Sequence, residues 1–153
     1  MAITIIAYGI PAPQGSKKFV GMAKSGRGIM IESSKKVRPW RQDVKHAALQ
    51  LREGQPPIAG PVRVSMVFTL PKPKSAPKRR RTYPDRTPDL SKLARSTEDA
   101  LTDAGIWEDD ARVIEYTRLA KVFPGEDPEA LTSPGVRIVV EAVTETAELR
   151  LAA

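Results

Sequence analysis

The sequence predicts one α+β domain, built from a mixed, mostly antiparallel sheet and two main helices. Three observations lead there. Apolar residues alternate at period two in several short runs and recur at helical spacing in two longer ones. The elements follow in the order β–β–β–α–β–α–β–β, with no internal repeat and no second composition zone. A chain of 153 residues is large enough to bury one real core. The domain is expected over 1–146, with an Ala- and Thr-rich tail frayed over 147–153.

The first strand is ITIIAY (3–8), β-branched and aromatic, followed by a loop rich in proline and glycine. KFVGMA and GIMIE, separated by KSGR, read as a hairpin or two short strands. Ser33 or Ser34 could cap a helix over 37–53, with Pro39 in its first turn. Its apolar stripe is Trp40, Val44, Ala47, Ala48 and Leu51, and His46 lies off it as a surface residue. Gly54 and Pro56–Pro57 stop that helix.

PVRVSMVFTL (61–70) alternates Val62, Val64, Met66, Phe68 and Leu70 against Arg63, Ser65 and Thr69, the pattern of a half-buried strand. Five prolines then exclude regular structure from 71–88 and predict an exposed, mobile loop. The second helix starts after Asp89 and buries Leu90, Leu93, Ala94, Thr97, Leu101 and Ala104. Lys92, Ser96, Asp99 and Asp103 are expected on the polar side, and Gly105 at the C′ position. Strands follow at about 112–123 and 136–143, and their adjacency in sequence suggests antiparallel pairing.

Composition narrows the chemistry. With no cysteine there are no disulfides and no thiolate metal sites, and a cytoplasmic setting is natural. With His46 as the sole histidine, a His-based zinc site or a serine-type triad has little to work with. A metal would need oxygen ligands, which suits magnesium or manganese. There is no signal-peptide pattern and no apolar run of membrane-spanning length, so a soluble intracellular protein without a membrane partner is expected.

The net charge of +7 is concentrated. Lys72, Lys74, Lys78, Arg79, Arg80, Arg81 and Arg86 face only Asp85 within 71–87, which points to a polyanion, most commonly nucleic acid. Lys17, Lys18, Lys24, Arg27, Lys35 and Lys36 form a second cluster. Directly after the basic run come Asp89 at a helix start and Asp109–Asp110 beyond that helix's end. Carboxylates that converge on a cation beside a phosphate-binding run are the chemistry of a metal-dependent nuclease. Taken by spacing alone, the same residues read equally as an N-cap and a turn-forming acidic pair. Adjacent aspartates in a strand would point opposite ways, so only one of them would reach a metal.

The segment Asp89-Leu90-Ser91-Lys92-Leu93-Ala94-Arg95, continued by Asp99-Ala100-Leu101-Thr102-Asp103-Ala104-Gly105-Ile106-Trp107-Glu108-Asp109-Asp110-Ala111-Arg112-Val113, resembles the RusA family of crossover-junction endodeoxyribonucleases. Tyr116 and Lys121 fall in register as well. The family resolves Holliday junctions and often occurs in phages and prophages. The resemblance implies a RusA-like fold, a magnesium-dependent nicking activity on four-way DNA, and Asp89 and Asp110 as metal-binding catalytic carboxylates, with Asp109 beside them. It also implies a homodimer, because two symmetric nicks on a two-fold substrate call for two sites. The basic run, with Lys17, Lys18 and Lys92, would hold DNA phosphates. Three positions depart from the family pattern, two of them in its catalytic set. Ser91 stands where it has a second aspartate and Arg95 where it has the catalytic lysine, while Lys92 replaces an asparagine. Arginine can clamp a phosphate but cannot exchange a proton near neutral pH. Asp109, Asp99 or Lys92 could compensate. The alternative is a weakened or non-catalytic protein that still binds junctions.

Overall fold

The computed structural model describes residues 1–15, 17–22, 28–32 and 35–144, and within 17–32 the backbone alone. The elements are β1 (Ala2–Tyr8), β2 (Lys17–Met22), β3 (Gly28–Glu32), α1 (Val37–Arg52), β4 (Val62–Thr69), α2 (Leu90–Asp103), β5 (Val113–Val122) and β6 (Gly135–Ala142). A 3₁₀ turn at Asp110–Arg112 leads into β5. This is the α+β order read from the sequence. The tail 147–153 and Ser33 and Ser34 lie outside the described residues; the residue at the N-cap of α1 is Lys36, which makes no side-chain capping bond.

Four strands form one sheet in the order β1-β6-β4-β5, and β2 and β3 form a separate antiparallel ribbon. β1–β6 and β6–β4 are antiparallel, and β4–β5 is parallel. The sheet is therefore mixed and mostly antiparallel. The last two strands, however, do not pair with each other, because β4 lies between them. A parallel β4–β5 pair needs a crossover, and α2 with its flanking loops supplies it.

α1 and α2 pack on one face of the sheet. Trp40, Val44, Met66, Phe68, Leu93, Leu101 and Ile138 are among the residues fully enclosed between them. The indole N–H of Trp40 donates to Thr97 Oγ1 at 3.2 Å, so the only polar atom of that ring is satisfied within the helix–helix contact. Leu51, expected on the apolar stripe of α1, is exposed instead, and Val37 is buried at the other end. The helix outruns the core at its last turn.

β4 also departs from the half-buried pattern: Ser65, Val67 and Thr69 are buried along with the alternating apolar set. The loop before β6 accounts for this. The N–H of Leu131 donates to Thr69 Oγ1 at 2.9 Å. Glu129 bonds Arg118 and Arg137, which lie opposite Ser65 and Val67 on the flanking strands. A central strand covered on both faces tolerates polar residues only when each has a partner. At the start of β6, a Cβ on Gly135 would stand 2.3 Å from the carbonyl oxygen of Ala7, so only glycine permits the β1–β6 approach there.

Candidate active site

α2 arranges the chemistry-bearing residues along its length. Asp89 occupies the N-cap position with extended backbone (φ −67°, ψ 133°), yet its carboxylate makes no capping hydrogen bond. It is 54% exposed and stands 3.5 Å from the Lys92 ammonium. An N-cap aspartate ordinarily accepts a bond from the second or third helical N–H. This one keeps its oxygens available at the positive end of the helix dipole.

The main chain in front of Asp89 is held by Lys121, whose ammonium donates to the carbonyl oxygens of Arg86 at 2.8 Å and Pro88 at 3.0 Å. The Thr87–Pro88 peptide is cis. β5 runs back beside α2, so a strand residue thirty-odd positions further along anchors the segment that carries Asp89. Ser91 and Arg95, one helical turn apart, are both exposed.

The next two turns of α2 hold the acidic residues that Asp110 meets. Ser96, expected on the polar side, is instead fully buried and donates to the Ala12 carbonyl at 2.7 Å. Glu98 is buried too, at 9% exposure, and accepts a 2.8 Å bond from the Tyr116 hydroxyl on β5. Burial raises its pKa; the Tyr116 bond opposes this, and the charges of Asp110 and Asp99 add to the rise. Tyr116 is itself held well above the usual phenol range by burial and by Glu98. It therefore stays a hydrogen-bond donor at neutral pH.

Asp109 and Asp110 divide their roles. Asp109 accepts the Ala111 N–H at 2.7 Å and caps the 3₁₀ turn, which lowers its pKa together with its bond to Asp110. Asp110 is raised by that shared bond, then by burial and by the charges of Asp109 and Asp99. The carboxylates that crowd Asp110 are thus Asp109, Asp99 and the buried Glu98. Among the described residues, no group of three His, Cys, Asp or Glu side chains is gathered tightly enough to hold a metal ion. The donors are nevertheless all oxygens and crowded with like charge, the kind of set that a hard cation relieves.

The basic run has no helix or strand, as expected, but it is tied down rather than loose. Lys72 pairs with Glu126 at 2.6 Å and Arg81 with Asp127 at 2.8 Å; the Thr82 N–H donates to Glu126 at 2.7 Å. Lys74, Lys78, Arg79, Arg80 and Arg86 are exposed. The side chains of Lys17 and Lys18 lie outside the described residues. No described helix is long and apolar enough to cross a membrane.

Sequence reasoning passed over Glu98. A glutamate two turns along the face that begins at Ser91 was a signal, but its burial depends on where β5 runs. The model of the family described as Endodeoxyribonuclease RusA matches residues 9–141, from just after β1 to the penultimate residue of β6. A search of curated proteins returned no match.

Proposed function

The chain belongs to the RusA endodeoxyribonuclease family, whose members resolve Holliday junctions, and from that premise we propose a magnesium- or manganese-dependent enzyme that nicks four-way DNA symmetrically as a homodimer. Nucleases of the family generally depend on a divalent metal. The observation that carries the site assignment is Asp89: it stands at a helix N-cap, exposed, with no capping bond to explain it. Asp110 and Glu98 supply two further carboxylates along the same helix–strand seam, and Glu98 answers for the charge that Ser91 lacks.

A divalent cation bound by such carboxylates supplies an activated water and stabilises the leaving oxygen. The chain's own groups do the rest. Asp89 and Asp110 are the proposed holders of the metal, with Asp109 fixing the turn that presents Asp110. Arg95, exposed one turn beyond Ser91, clamps the phosphate but transfers no proton. Lys121 holds the Pro88–Asp89 main chain in place. The exposed cations of 74–86 and Lys92 hold the flanking phosphates and read junction shape rather than base sequence.

The test is nicking of a synthetic four-way junction with and without Mg²⁺. Paired nicks that vanish on chelation, and that Asp110→Asn abolishes while junction binding survives, are the expected outcome. Unchanged cleavage by Asp110→Asn removes the site assignment. The departures at Ser91 and Arg95, with no three-carboxylate group gathered among the described residues, favour a second reading: a junction-binding protein without cleavage. Tight binding with no metal-dependent product would establish it.

A further inference from the structure

A cavity of about 750 Å³ opens between the segment after β1, the proline-broken run before α2, and Phe123 at the end of β5. That volume lies within the roughly 300–1,000 Å³ of small-molecule pockets. Seven prolines line it. Their fixed φ angles leave the walls little freedom, so the cavity is preformed rather than assembled on contact. The ties from Lys72 and Arg81 to Glu126 and Asp127, and from Lys121 to the Arg86 and Pro88 carbonyls, hold its outer wall.

Its chemistry is that of a flat aromatic guest attached to an anion. Tyr83 lines the cavity and is 64% exposed. The Arg81 guanidinium sits 4.8 Å from its ring centroid and fixes the ring by a cation–π contact. Lys36 and Arg86 also line the cavity, and Lys78, Arg79 and Arg80 are exposed along the same run. Walls of proline, Ile10 and Phe123 would not solvate a phosphate, but cations in the lining would hold one at the mouth. The last lining residue, Pro88, is the neighbour of Asp89.

We infer that this cavity receives one unstacked nucleobase of branched DNA, stacked on Tyr83 while its flanking phosphates rest on Arg86 and Lys36. The inference rests on the reading of Asp89 as part of the cleavage site, which puts the cavity beside the scissile phosphate. Bases at a strand crossing are partly released from pairing and stacking, so drawing one out costs least there. Thr82 and Thr87 in the lining offer hydroxyls to the base edge.

The experiment is a cycle between one side chain and one base. Binding of the full chain and of Tyr83→Ala is measured, without divalent metal, on intact four-way junctions and on a set in which each branch-point nucleotide in turn is abasic. Tyr83→Ala is expected to weaken binding to the intact junction by roughly 5- to 100-fold. At one abasic position that loss should disappear, because the stacking partner is already gone. Ala76→Trp, which fills the cavity from the loop, should reproduce the pattern with an unchanged melting temperature. An equal Tyr83→Ala loss on every junction, or none on any, overturns the inference while junction binding stands. A wild-type chain that prefers plain duplex over the junction overturns instead the functional reading beneath it.

Discussion

At the scale of single residues, what matters most is which polar groups the structure satisfies and which it leaves open. Asp89 sits where a capping aspartate belongs and does not cap; its carboxylate stays exposed beside the Lys92 ammonium. Glu98 is the reverse: it is buried, hydrogen-bonded to Tyr116, and pressed by two neighbouring carboxylates. A carboxyl whose pKa is raised on folding supports the fold only while protonated. That contribution is complete below its ordinary value of 4.5 and is lost as pH rises through the raised one. Glu98→Gln should therefore melt at higher temperature than the wild type at pH 7, with the difference gone below about pH 4. Its junction cleavage should fall roughly 10- to 100-fold. Thermal scans and nicking rates check both halves, and unchanged cleavage would return Glu98 to a purely structural role.

At the scale of elements, the basic run is a braced wall. Asp127 is central to the brace: its side chain is 3% exposed, and Arg118 holds its pKa well below the usual carboxylate range. A lowered carboxyl pKa supports the fold above the ordinary value of 3.8 and ceases to do so as pH falls from there. Asp127→Asn should cost about 2–3 kcal/mol in urea unfolding at pH 7 and progressively less below pH 4. With Lys72 and Arg81 paired inside the chain, five cations of the run remain exposed for the proposed DNA contact. Five phosphate contacts from the run alone contribute roughly a 500-fold loss of junction affinity between 50 and 200 mM salt. Replacing Lys78, Arg79 and Arg80 together by alanine should reduce the run's share of that loss to about tenfold. A salt titration by filter binding checks it, and a slope untouched by the triple replacement removes these residues from the DNA contact.

At the scale of the molecule, the parallel β4–β5 pair is what makes a site from distant pieces. It forces the crossover through α2, which returns Tyr116 and Lys121 to the flank of the helix carrying Asp89 and Glu98. The α1–α2 contact keeps that helix seated, through Trp40 and its bond to Thr97. Trp40→Ala should cost about 3–5 kcal/mol, measured by urea unfolding, and should loosen the site through the helix rather than through any contact with DNA.

The sequence by itself determined the order and type of the elements, the helix limits at α2, the basic character of 71–87 and the family pattern from Asp89 to Val113. These are legible because periodicity, turn residues and charge are local properties of a chain. It could not reveal that β4 separates β5 from β6, that Ser65 and Thr69 are buried, or that Ser96 and Glu98 face inward. Those outcomes depend on strand order and on which surfaces close over one another. That Asp89 leaves its capping bond unmade, and that Asp109, Asp99 and Glu98 crowd Asp110, follows from the tertiary arrangement alone. A side chain's charge and partners are set by neighbours in space, and here those neighbours come from strands and loops far away along the chain.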